Sequence, residues 1–242
     1  RELCLAKMNT NSLKNAVLYG GLFYTDNDSI SYGLDSFNES FSACDDITET
    51  RGNQVYLPGT YTEVLNIKEI LESAGILVDC RIGKEGTKES FEALSGNSPS
   101  ILHIATHTNR MSNGVRSFIN NGLYFSTSDT SLYVSHQENN FLSMAEISAM
   151  DLSKTLLTVL SACETGIGEI TDDGVWGIQR AFKMAGANTI IMSLWKVDDA
   201  ATLLMMNTFY KEFLRTNDKY LAMRKAQNEV KRIFENPYYW AG

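Results

Sequence analysis

Apolar residues gather in runs without polar alternation at positions 16–22, 76–80, 100–107, 155–160 and 188–195. Runs of this kind are strands covered on both faces, which in a globular domain means a parallel sheet between helices. Gly20 and Gly21 inside the first run predict a bulge or a close backbone approach. Between the runs, apolar residues recur at helical spacing. Val64, Leu65, Ile67, Ile70 and Leu71 mark a helix through about residue 73, which Gly75 ends. Residues 57–60 read as a turn, with Thr60 as N-cap and Glu63 completing a capping box. Further helices are expected over residues 87–94, 142–150 and 175–185, the last stopped by Gly186. Two more, over 200–215 and 220–234, carry apolar stripes such as Phe209, Tyr210 and Phe213. Residues 122–126 and 131–134 read as paired edge strands. The alternation of strand and helix predicts an α/β fold with right-handed crossovers, formed as one domain.

Residues 25–54 are rich in Asp, Asn, Ser, Thr and Glu and read as a long surface loop: a lid, a processing site or a plain insertion. The net charge of −8 and the absence of a basic cluster beyond Lys225, Lys231 and Arg232 argue against a nucleic-acid partner. Cys4, Cys44, Cys80 and Cys163 lack paired spacing. That disfavours a zinc site or a disulfide framework and predicts a reducing, cytoplasmic setting. No run is apolar and long enough for a signal peptide or membrane span, so no membrane partner is expected. The first residue is Arg1, and a fragment of a longer protein is expected.

The chemistry concentrates where the run at 155–160 meets Ser161-Ala162-Cys163-Glu164-Thr165-Gly166. In parallel sheets, ligands and catalytic groups collect at the carboxyl ends of strands. Cys163 reads either as a nucleophile or as a small buried hydrophobe. His103 lies inside its run and reads as a core histidine, whereas His107 ends that run beside polar residues. The run at 188–195 leads to Asp198 and Asp199, acids that fit a basic ligand group or a helix N-cap. Three strand ends thus deliver His107, Cys163 and the Asp198/Asp199 pair to one edge. A thiolate attacks a carbonyl, a neighbouring histidine raises its thiolate fraction and protonates the leaving amine, and backbone N–H groups of Cys163 and Thr108 are candidate oxyanion donors. Metal chemistry fits less well, because His103, His107 and Cys163 are too few ligands for zinc. A phosphate loop with Lys-Ser/Thr is absent, as is the arginine a cysteine phosphatase needs. No cofactor is expected.

Several spaced motifs resemble one family. They are Ile101-Leu102-His103-Ile104-Ala105-Thr106-His107, Leu160-Ser161-Ala162-Cys163-Glu164-Thr165-Gly166, Ala185-Gly186-Ala187, Ser193-Leu194-Trp195-Lys196-Val197-Asp198-Asp199 with Thr202, and the ending Asn236-Pro237-Tyr238-Tyr239-Trp240-Ala241-Gly242. Together they resemble CHAT domains, caspase-like cysteine peptidases of the clan of caspases, gingipains and separase. The resemblance covers most of the chain from about residue 55. It implies a caspase-like three-layer α/β/α sandwich with a mostly parallel sheet. It also implies a His107/Cys163 dyad, His103 as a structural member of the His-x-x-x-His pair, and a regulated, bacterial endopeptidase. The Trp-x-Val-Asp-Asp turn would lie at the pocket for the residue before the scissile bond (P1), with Asp199 first and Asp198 second in binding Arg or Lys. Partners implied are a protein or peptide substrate and an activating protein or tetratricopeptide-repeat region. The chain departs from the family in Thr108, where glycine usually follows the catalytic histidine, and in lacking the start of the usual region and its last strand. Thr108 supports the alternative of a catalytically silent scaffold or sensor.

Overall fold

The computed structural model describes residues 12–24, 56–109, 121–126, 140–161, 169–171, 174–195 and 198–242. The apolar runs form β1 (Asn15–Leu22), β2 (Leu77–Gly83), β3 (Ile101–Ile104), β7 (Leu157–Leu160) and β10 (Thr189–Met192). These make one sheet in the order β10-β7-β3-β1-β2, every pair parallel. Between β3 and β7 lie β4 (Thr108–Asn109), β5 (Gly122–Tyr124) and β6 (Phe141–Ser143), a small antiparallel sheet. A separate hairpin joins β8 (Glu169–Thr171) to β9 (Gly174–Trp176).

Successive side chains of each strand enter opposite layers. Ala16, Leu18, Ile101, Leu157 and Val159 pack under α1 (Pro58–Ser73), α5 (Asp199–Thr216) and α6 (Lys219–Ile233), with Val64, Ile67, Phe209 and Phe213 closing over them. Val17, Tyr19, Leu102, Ile104 and Leu160 face the other way, onto α2 (Lys88–Glu92), α3 (Met144–Ala149) and α4 (Ile178–Met184) through Phe91, Ile147 and Phe182. The fold is the expected three-layer α/β/α sandwich with a parallel central sheet.

Gly20 and Gly21 behave as their place in β1 predicts. The β1–β2 register shifts between Gly20 and Leu22, and Gly21 takes φ +58°. A Cβ on Gly20 would stand 2.6 Å from the Thr60 carbonyl oxygen, so α1 lies directly on the bare backbone of β1. Gly186 ends α4 at φ +97°.

Three local expectations are corrected. Thr60 does not cap α1, and Glu63 completes no capping box. The helix starts at Pro58 after Leu57, because proline at the first position needs no N–H partner. Thr60 instead accepts the Gly21 N–H and donates to Leu57 O. The helix expected from residue 175 begins at Ile178, since residues 174–176 pair in β9. The strand at 122–124 pairs with β4 and β6, while residues 131–134 and all of 25–54 lie outside the described residues.

Candidate active site

The parallel pairing of β3 and β7 brings two strand ends together. Ile104 is in register with Leu160, and the Ser161 N–H donates to Ile104 O. His107 and Cys163 each follow three residues after that matched pair. Cys163 lies outside the described residues, as do Lys196 and Val197. His107 is half-buried and its ring packs on Tyr24, with centroids 4.9 Å apart. Tyr24 is itself fixed by a 2.8 Å hydrogen bond between its hydroxyl and that of Thr106. Thr108 pairs with Leu123, and the flanking bond runs from the Tyr124 N–H to His107 O. Such a pair is the narrow, non-hydrogen-bonded kind, so the Thr108 amide is directed away from β5.

Below this edge runs a buried polar chain. His103 is fully buried, as its position within the apolar run predicts, and its Nδ1 meets the Tyr210 hydroxyl at 3.2 Å. Burial, and then the Glu63 carboxylate, push the Tyr210 hydroxyl well above its ordinary pKa. It therefore stays protonated, and which of the two groups donates in this contact follows from the His103 tautomer. His103 Nε2 stands 3.2 Å from Glu63 Oε1, yet the two lack the alignment of a hydrogen bond. Glu63 Oε2 accepts from the Ser161 hydroxyl at 3.0 Å. Side chains from α5, β3, α1 and the residue after β7 thus lie in one line that ends two positions before Cys163 in the chain.

Ser161 and Glu63 border a cavity of about 410 Å³ that runs along β10 beneath α5 and α6. Its other walls include Thr106, the first turn of α1 and Asp199. A larger cavity, about 600 Å³, lies at the opposite, amino-terminal end of β1 and β2 and touches none of the candidate site residues. Asp198 caps α5, its Oδ1 accepting the Ala201 N–H at 3.1 Å. Asp199 is exposed at the cavity mouth, and its carboxylate lies so close to Gly59 that a Cβ there would be 2.7 Å from Oδ2. The beginning of α1 has no acidic residue of its own, so Asp199 brings negative charge to that helix end. Among the described residues no group of His, Cys, Asp and Glu is placed to hold a metal ion, and no helix is long and apolar enough to cross a membrane.

Residues 38–242 match the CHAT domain. The chain belongs to the CHAT domain family. Two curated relatives are similar to part of the chain. Tetratricopeptide repeat protein 28 of Mus musculus is 32% identical over 103 residues, which is 42% of the chain, and that of Homo sapiens is 34% identical over 88 residues, or 36%. The alignments cover only 4% of the length of either relative. Among solved structures, the Arg-specific cysteine proteinase gingipain R superposes with a TM-score of 0.56 at 9% identity, over 97% of this chain and 46% of that one. The complex of the pro- and mature domains of RgpB from Porphyromonas gingivalis gives 0.55 at 12% identity, over 97% and 47%. At such identity the likeness is one of fold.

Glu63 is the site residue that sequence reasoning misplaced. Its spacing with Ile67 and Leu71 puts it on the buried stripe of α1, the signal that its carboxylate faces the interior.

Proposed function

We propose that this CHAT domain is a cysteine endopeptidase in which His107 and Cys163 form the dyad, the amides of Cys163 and Thr108 receive the oxyanion, and acidic groups select Arg or Lys at P1. The observation that supports this reading most is the β3–β7 register, which starts both segments from one matched pair of residues. A thiolate at that edge attacks the substrate carbonyl, and the tetrahedral oxyanion takes its hydrogen bonds from the two amides. His107 passes a proton to the departing amine, and water then releases the acyl group. The caspase-like fold shared with an Arg-specific proteinase and the acids beside the cavity support a basic P1. A longer protein carrying an activating tetratricopeptide-repeat region fits the curated relatives.

A second reading, a catalytically silent scaffold, is favoured by Thr108 and by relatives known as repeat proteins. Fluorogenic peptides with Arg, Lys, Asp or Leu at P1, offered under reducing conditions, separate the two. The peptidase cleaves after Arg or Lys, and Cys163→Ala and His107→Ala each abolish turnover. Cleavage that persists in Cys163→Ala removes the dyad. A scaffold keeps its biological effect in both variants.

A further inference from the structure

Glu63 is 3% exposed, yet it borders the cavity along β10. Among the described residues, no lysine or arginine lies within ion-pair distance of it, and its close neighbours are the Ser161 hydroxyl and His103. A carboxylate whose close partners are a hydroxyl and an imidazole, and which borders an open cavity, is placed to receive a cation that arrives with a ligand. Each carboxylate oxygen accepts two hydrogen bonds. Oε2 has one, from Ser161, and Oε1 faces His103 Nε2 without the alignment of a bond. Oε2 therefore retains acceptor capacity, while Oε1 is enclosed beside His103.

The other charged groups of the cavity have different duties. Asp198 caps α5, and Asp199 sits at the mouth against the start of α1. Lys219, from α6, donates to Thr189 Oγ1 at 2.7 Å, at the start of β10, and lies 5.5 Å from the Tyr220 ring. Thr189 opens β10, whereas Ser161 follows the carboxyl end of the neighbouring β7, so the ammonium and the Glu63 carboxylate occupy opposite ends.

We propose that Glu63, with the Ser161 hydroxyl, is the specificity-determining group at the inner end of this cavity and receives the guanidinium or ammonium of a basic substrate side chain. This rests on the peptidase reading for its substrate, while the binding of a basic side chain is measurable without turnover. The Ser161 hydroxyl, committed as donor to Glu63, offers its own lone pair to the same cation. The Glu63 and Ser161 oxygens side by side suit the forked guanidinium better than the ammonium. Ser161 also lies two residues before Cys163 in the chain.

The test uses Cys163→Ala protein and calorimetric binding of acetyl-Leu-Arg amide against acetyl-Leu-citrulline amide, its uncharged near-isostere. The arginine peptide is expected to bind about tenfold tighter or more, the effect of a charged hydrogen bond. Glu63→Gln is expected to erase that ratio and Ser161→Ala to reduce it. Equal binding of the two peptides overturns the proposal, as does an unchanged ratio in Glu63→Gln protein that melts like its parent. If Glu63→Gln does not fold, an unchanged ratio in Ser161→Ala overturns it instead. Arginine-selective binding without cleavage by the Cys163 protein leaves Glu63 assigned and removes the peptidase. Cleavage after arginine that survives Glu63→Gln does the reverse.

Discussion

Replacing Gly20 by alanine tests how closely α1 is seated on the sheet. The new Cβ would meet the Thr60 carbonyl oxygen and Val64 Cγ1, each at 2.6 Å, and Val64 Cγ2 at 3.1 Å. The carbon contact at 2.6 Å is about 1 Å short of the optimum for carbon pairs. Rotation of a side chain gives no relief, because one neighbour is helix backbone and Val64 is fully buried. The helix must therefore retreat or β1 must bend, and overpacking of this kind costs about 1–3 kcal/mol. For a chain of this size each kcal/mol lowers the melting temperature by about 2–4 °C. Gly75→Ala is the control. Its φ is +79° and nothing lies within 4 Å of its Cβ, so it carries backbone strain alone. Thermal unfolding of the two variants gives the stability term, and binding of the arginine peptide gives the position of α1, which carries Glu63. Gly20→Ala should lose affinity beyond what Gly75→Ala loses. A Gly20→Ala melting temperature within about 1 °C of the parent would refute the claim that this contact limits the packing.

Tyr210→Phe removes the fully buried hydroxyl that meets His103 Nδ1 and should cost about 1–2 kcal/mol in chemical denaturation; an unchanged midpoint would show that the contact contributes nothing. The Glu212 carboxyl is held at about 2 by hydrogen bonds from Arg215 and then Lys225. Because its pKa is lowered by folding, the link between α5 and α6 persists above the ordinary glutamate value of 4.5 and is lost as pH falls through about 2. A carboxyl carbon NMR titration should give that low midpoint and a rise in Arg215→Gln. Burial pushes the Cys80 thiol up to about 11. Alkylation at about pH 8, followed by mass mapping, should therefore find Cys80 slow in the folded chain and fast in urea.

The central strands were legible because their apolar runs admit no polar face. The same logic separated His103, inside a run, from His107 at its end, and narrowed the helix cap to Asp198 or Asp199, of which Asp198 is the one that caps. Less could be read where a local signal competed with a distant partner. Thr60 and Glu63 have the spacing of a capping box, but Pro58 starts the helix and both side chains reach other elements, Gly21 in β1 and Ser161 after β7. Phe141–Ser143 was read partly as helix because its pairing with Gly122–Tyr124 joins segments too far apart for a tight hairpin. Trp176 was read as helix for a related reason, since a short strand pair carries little periodicity of its own.

The neighbouring positions of β3 and β7 also divide the chain in an unexpected way. Every element up to β5 belongs to one half, and every element from β6 onward belongs to the other. Neither half holds a complete interior: Leu18, Ile67 and Ile101 of the first are covered by Phe209, Phe213 and Val159 of the second. A backbone cut within residues 127–139 would therefore give two pieces that remain zipped along the middle of the sheet, each acting as the other's template. Produced separately, they should recover native structure only on mixing, so the interior itself serves as an interface between fragments.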